Sequence, residues 1–475
     1  MKVKLFSLFV ILALAFAGFS PSNVQAQAYT TTFTTSVTYQ NVGTVATTSL
    51  KVLFYATPST TTPTTVPLSN LAAGASSSLY IGNLTQAEVP TGFQGSAVMQ
   101  SDQPLLATLV QIPQGSATVF VRPLSNGFSD GAPTALIATV LKNTYAAHTK
   151  FSIQNIDSQL NSVSIKFYNT SATLVHTITQ DIESGASYYV DAATVAALGA
   201  SFNGSVVATA TRADTSAGKI VGSAMELDIT GTGAKAFESV ATGATTLYMP
   251  SALCDVYGGQ RTSYAVQNTS LTTATDVTVT YSPGGLAVTK NIGAGAKASF
   301  SACDTVAAGF VGSATVTSTA TPVIAVGKAF GAGLSTAFLG APNGVAELAL
   351  PYVRWAPDAY YNNGSRQRTY IAIQNVGLAS IPAGSITLTY TDSFGHTGTH
   401  TYASALAVGA KFNSNASNAG LTWFGMAEPP AAGYGGGVTI NCTAPGCQLI
   451  AIARVATYVS ATNTAAEDYN AMPIP

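Results

Sequence analysis

"YAVQNTS", residues 264–270, occurs four times with small changes: "VTYQNVG" at 37–43, "FSIQNID" at 151–157 and "IAIQNVG" at 371–377 are the others. The Gln-Asn pairs begin at Gln40, Gln154, Gln267 and Gln374, spaced by 114, 113 and 107 residues. Self-similarity at a fixed period marks a chain built from repeated units. Other features keep the same spacing. A Tyr closes the next apolar stretch each time: Tyr55, Tyr168, Tyr281 and Tyr390. A Gly-Ala turn follows, in "AGAS" (73–76), "SGAS" (184–187), "AGAK" (294–297) and "VGAK" (408–411). Next come "GFQGSAV" (92–98), "SFNGSVV" (201–207), "GFVGSAT" (309–315) and, more loosely, "GYGGGVT" (433–439). A last apolar run closes each unit: "PLLATLV", "KIVGSAM", "PVIAVGK" and "QLIAIAR".

Apolar residues alternate with small or polar ones in these runs, as in Val277, Val279 and Tyr281. That period of two belongs to strands with one buried face. Seven short strands separated by turns, over about 100 residues, form the pattern of an immunoglobulin-like sandwich. The expected fold is therefore all-β, with four tandem immunoglobulin-like β-sandwich domains at 29–130, 131–243, 244–346 and 347–459. "DAATVAALGA" (191–200) is the one stretch expected to form a short helical turn. The recurring polar residues read as fold maintenance. Asn at a strand end bonds neighbouring backbone and makes a turn. The Gly of the fourth motif permits a bulge or a close backbone approach, and its aromatic neighbour fills the core. A residue needed once per unit, four times over, is a poor candidate for an active site.

The pattern resembles the Ig-like repeats of large secreted and cell-surface proteins of environmental bacteria. There a "QN" strand, a Gly-Ala turn and a "GFxGSA" strand recur in tandem. The resemblance spans nearly all of the chain after its leader, and it implies an extracellular structural or adhesive role. The fourth unit departs from it through a long loop, 413–437.

Composition agrees with an exported protein. Lys2 and Lys4 precede an apolar core at 5–19, and small residues follow in "VQAQA" (24–28), so residues 1–28 read as a secretory signal peptide. Cleavage is expected after Ala26 or Ala28. The apolar core is short for a membrane span, and no transmembrane anchor is expected elsewhere. Charged residues make up 8% of the chain and the net charge is −1, which excludes the basic stripe a nucleic-acid binder needs. Four Cys in an exported chain read as disulfides. Cys442 and Cys447 bracket the turn "TAPG". Cys254 and Cys303 lie in one repeat, where they are expected to tie its first strand to a later one.

No motif for a catalytic centre, metal or cofactor stands out, and the protein is expected not to be an enzyme. His396 and His400 lie four apart in a stretch that reads as a hairpin. A Lys150 or Lys166 bond to Asn155 is conceivable, as in isopeptide-linked sandwiches. Glycosylation is permitted by several N-x-S/T triplets and by the Thr/Pro-rich loop 57–65. A binding role would fall to the aromatics of the fourth unit: Trp355, Trp423, Phe424 and Tyr434 are candidates to stack on surface glycans.

The ends of the chain differ. The third and fourth units begin with a Pro-containing strand, at "TTLYMPSAL" (245–253) and "ELALPYVRW" (347–355), and the second with "TALIATVL" (134–141). The first unit has no room for such a strand after the signal peptide. "NAMPIP" (470–475) looks like a spare one. Residues 460–475 are therefore expected to be a linker and a donor strand, in which Met472 and Ile474 enter the first domain of the next copy while Pro473 and Pro475 face away. The contact would run head to tail and generate an extracellular filament. The alternatives are intramolecular closure of a compact four-domain ring, and a monomeric or surface-layer adhesin that binds glycans.

Overall fold

The computed structural model describes residues 31–57, 62–114, 121–229, 233–331, 333–460 and 463–475. The expected signal peptide and part of the Thr/Pro-rich loop lie outside these residues. The chain is all-β. Eight antiparallel sheets of three to five strands stack in pairs, each pair drawn from one consecutive stretch of sequence. The pairs are called units 1 to 4. Among the described residues helical structure is limited to short turns, including Ala192–Thr194 and Ala196–Leu198 within the stretch expected to be helical.

Each unit repeats one plan. A Gln-Asn strand (Thr32–Asn41, Ala147–Asn155, Arg261–Asn268, Gln367–Asn375) pairs with a closing strand (Leu105–Gln114, Ile220–Asp228, Val323–Gly331, Leu449–Ser460). On the far side of the closing strand lies an axial strand: Leu124–Asn126, Ala234–Glu238, Leu334–Leu339 or Asn463–Asn470. The second sheet holds the strand carrying the Gly-Ser motif or its counterpart (Gly95–Ser101, Phe202–Arg212, Phe310–Ser318, Gly436–Cys442), which is an inner strand in units 2 to 4 and an edge strand in unit 1. On its outer side in units 2 to 4 that strand pairs with a lead strand: Thr134–Lys142, Thr246–Cys254 or Glu347–Leu350. Unit 1 has no lead strand among the described residues, and its second sheet has three strands.

The repeated polar residues act as expected. Asn268 Nδ2 donates to the carbonyls of Thr273, Ile292 and Gly293, and its Oδ1 accepts from Ser270 N–H and Thr321 Oγ1. Asn41, Asn155 and Asn375 make the same kind of bonds in their units. Each Asn stitches a loop to the end of a neighbouring strand. Asn268→Ala would leave buried carbonyls and a buried hydroxyl without partners, at about 1–3 kcal/mol for each group that water cannot reach. The expected loss is about 2–3 kcal/mol, seen as a lower denaturant midpoint with unchanged slope. The Gly of the Gly-Ser motif permits close approach: a Cβ on Gly204 or Gly312 would stand 2.1 Å from the carbonyl oxygen of Tyr168 or Ser282.

The four units close into a ring, because each docks its Gly-Ala turn on the Gly-Ser strand of the unit before it. Ser96 Oγ donates to Gly185 O, and Ser205 Oγ to Gly295 O, both at 2.7 Å. Gln374 Nε2 donates to Ser313 Oγ at 3.1 Å. The equivalent Gly437 of unit 4 lies against the Gln40 side chain of unit 1. Apolar packing follows the same circuit. Ile324 and Val326 of unit 3 join the core of unit 2, Ile452 of unit 4 joins that of unit 3, and Val110 and Leu124 of unit 1 join that of unit 4.

The axial strands meet at the centre. Asn126, Glu238, Leu339 and Asn470 hold equivalent places, pairing with Thr108, Ser223, Val326 and Ile452 of their closing strands. Asn126 N–H donates to Glu238, Asn126 Nδ2 donates to Asn470 O, and the Asn470 side chain exchanges two bonds with the backbone of Leu339. This is an approximate fourfold axis built within one chain.

The tail corrects an expectation. Glu467–Asn470 forms part of the fourth axial strand rather than a linker, and Glu467, Asp468 and Tyr469 are buried. Met472 and Pro473 do not extend as a free donor strand. They pair with Ala349 and Leu348 of unit 4's own lead strand. Met472 packs there with Leu106 of unit 1, and Ile474 lies beside it; Pro475 is exposed at the end of the chain. The reason is positional. Met472 follows the axial strand where Val240 and Ala341 follow theirs, and those residues also bridge to the lead strands of their units. The Met-Pro resemblance to Met249-Pro250 is outweighed by this register.

Candidate functional site

Three of the four interfaces place a cation, buried in two and half-buried in the third, where the Gly-Ala turn meets the preceding unit. Lys297 Nζ donates to Thr139 Oγ1 of unit 2's lead strand, at 2.9 Å. Lys411 Nζ donates to the carbonyls of Gly312 and Pro250, the latter in unit 3's lead strand. Burial pushes the Lys411 ammonium down to about 8, with Arg454 adding in the same direction. Between units 4 and 1 the cation is Arg354, fully buried, whose guanidinium reaches Thr38 Oγ1 and Ser78 Oγ and lies over the Tyr352 ring. The interface between units 1 and 2 differs. Its turn carries Ser187 instead of Lys, which meets Thr57. Tyr189 Oη donates to Gly95 O. The Lys that would reach a lead strand is absent where the lead strand is absent.

Charges near the axis form a second cluster. Glu226 contacts Lys235 at 3.1 Å and Lys328 at 2.5 Å, and all three are largely buried. Burial alone would raise the carboxyl; Lys328 and Lys235 outweigh it and hold Glu226 down to about 2. Lys328 Nζ also donates to Thr139 Oγ1, so units 2 and 3 share this network. Glu467 stands in the opposite situation. Its Oε1 accepts the Arg122 N–H, while burial pushes the carboxyl up to about 8.

That shift has a testable sign. A raised folded-state value means stability that is complete below the unfolded carboxyl range and is lost as pH climbs towards 8. Glu467→Gln keeps the acceptor and removes the charge, at the cost of one amide group without a partner. The variant is expected to be more stable than the wild type by about 1–2 kcal/mol at pH 8 and no more stable at pH 4. Thermal melts at the two pH values check this.

The other sequence candidates fall as follows. Cys254–Cys303 and Cys442–Cys447 are disulfides. The aromatic cluster is not a surface platform. Trp355, Trp423 and Phe424 are buried, and Trp423 packs with Ala356 and Met426 in a small local core. The loop folds over its own aromatics, with the Arg368 guanidinium stacked on Trp355 and Tyr361. Of the four candidates only Tyr434 is exposed. His396 bonds Asp392 and His400 bonds Ser414, on a hairpin. Asn155 is committed to backbone carbonyls and Lys150 to Asp191, so the isopeptide arrangement is not formed. The ring, expected only as an alternative to head-to-tail assembly, is the arrangement the structure shows. Its signal was the recurrence of Gln and Gly in all four units, and of Ser in three, at positions that a lone sandwich would leave at its surface.

No family model matches the chain, and no curated protein does. Among solved structures it is matched to the crystal structure of a tetra-tandem repeat in the extending region of a large adhesion protein, at 13% identity. The match covers 94% of this chain and 95% of that one, with a TM-score of 0.11.

Proposed function

We propose that the protein is a secreted structural subunit without catalytic activity: four immunoglobulin-like sandwiches locked into a ring that serves as a building block of an extracellular filament or layer. One observation carries the reading. The residues that recur in every unit are spent on the sandwich turns and on the contacts between units, and among the described residues the first sandwich is one strand short. A sheet edge with unpaired N–H and C=O groups is a template for another strand. The tail of a neighbouring copy, the donor expected from the sequence, is occupied within its own chain, so assembly draws on the acceptor side.

The test is immunogold labelling of the producing cells beside negative-stain electron microscopy of the purified chain. The expected result is four-lobed closed particles in the purified material and label along ordered filaments or layers on the cells. Single dispersed particles on the cells, together with glycan binding that Tyr434→Ala removes, would overturn it in favour of the adhesin.

A further inference from the structure

The structure assigns a strand-acceptor slot to the junction of units 1 and 2, and we infer that its occupant is an extended, uncharged segment of a separate exported polypeptide. The inference rests on the structural-subunit reading and names the partner. At the equivalent junctions a lead strand is sandwiched between two units: Thr139 of unit 2's lead strand meets Lys297 and Lys328 of unit 3, and Pro250 of unit 3's meets Lys411 of unit 4. At the first junction the described residues supply no such strand. The slot is thus continuous with an interface already formed by Ser96, Gly185, Thr57 and Ser187.

Exposure marks the vacancy. Val206, Ala314 and Val438 hold equivalent places on the Gly-Ser strands and are at most 1% exposed. Their counterpart Ala97 is exposed. Met99 is half-buried, whereas Ala208, Val316 and Ile440 are fully buried. No Lys, Arg, Asp, Glu or Pro lies in Gly95–Ser101, so the edge lacks the charges and prolines that commonly block strand addition.

The occupied slots define the ligand. Val206, Ala314 and Val438 pair with Ile137, Met249 and Leu350, each fully buried. Two residues earlier stand Ala135, Leu247 and Leu348, also buried. The recognised strand therefore runs antiparallel to Gly95–Ser101 and carries apolar residues two apart, the second being Ile, Met or Leu opposite Ala97. It carries no charge between them. Backbone bonds supply affinity and the alternate side chains supply selectivity. Counted back from Gln40 at the spacing of unit 2, the chain's own lead strand would fall on residues 20–28, within the segment expected to leave with the signal peptide.

The probe is a fluorescent peptide of unit 3's lead strand, TTLYMPSAL (residues 245–253), titrated by anisotropy into the purified exported chain. Saturable binding is expected. Ala97→Lys changes an exposed residue and is expected to weaken it about tenfold or more. A chain in which the same nine residues are joined ahead of Thr31 by a short linker is expected to melt higher and to bind no peptide. Equal binding of a scrambled peptide, or no binding to the wild type, overturns the slot. So does an N-terminal mass showing that residues 20–28 remain, since the chain then fills its own edge. Binding lost on removal of Met472–Pro475 would instead assign the site to the tail. Peptide binding without filaments or layers on cells would leave the slot standing and remove the structural-subunit reading.

Discussion

A chain ending at Ala466 is expected to lose the fold of unit 4 rather than to yield a well-behaved monomer. Residues 467–475 carry the Asp468 carboxylate that holds Arg454 by two 2.8 Å bonds. They also carry Tyr469, whose hydroxyl bonds both the N–H and the carbonyl of Tyr352. Removing one partner of a buried ion pair costs about 3–5 kcal/mol. Deleting a buried aromatic costs a similar amount. The sum rivals the whole stability of a typical domain, about 5–15 kcal/mol. Limited proteolysis should cleave the truncated chain within 347–460, and its melt should show a lost or early transition. A truncated chain that melts like the full-length protein would return the tail to the status of a spare strand. Removal of Met472–Pro475 alone takes away one buried side chain, worth about 1.5–3 kcal/mol, and should leave the ring closed.

Glu226→Ala is expected to be the most damaging single substitution among the charged residues. It strips the counter-charge from Lys328, which lies beside Lys297 in the same buried network, and leaves Lys235 only the 3.7 Å ion pair with Asp228. The cost of leaving such a cation unpaired is about 3–5 kcal/mol. The pH dependence follows from the same geometry. The Glu226 carboxyl is held down to about 2 in the fold, so its contribution is present above the ordinary carboxylate range and is lost as pH falls towards 2. That contribution is about 3 kcal/mol, and it should disappear from the acid limb of the stability curve in Glu226→Ala. Since Lys328 belongs to unit 3 and Glu226 to unit 2, the variant should also uncouple the melting of these units. An unchanged acid limb would show that the pair contributes nothing to folding.

Much of this was legible in the sequence, and what was not has physical reasons. The Asn of each Gln-Asn pair could be read because its role is local: an amide beside a turn has few other uses. The disulfides could be read because spacing restricted them. The contacts that close the ring could not, because Gln374 and Ser313 are ordinary polar residues until a neighbouring unit is set against them. Their exact partners lie 61 residues apart in sequence. The tail misled because Met472-Pro473 repeats the local pattern of Met249-Pro250. The decision between lead strand and axial extension belongs to register around the axis, which no nine-residue window contains. Trp355 and Trp423 misled for a related reason. Aromatics on a long loop look the same whether the loop presents them or folds over them.

The contact between successive units is head to tail, yet it closes after four. A quarter turn at each junction therefore fixes the repeat number. Adding or deleting a unit would not lengthen or shorten this molecule, as it would an open solenoid. A three-unit chain would be an arc with two complementary ends, a fifth unit would have no place beside Gln40, and either change would turn a self-contained particle into one that must seek other copies. Unit duplication, the usual route by which tandem-repeat chains grow, is thus closed to this one by geometry.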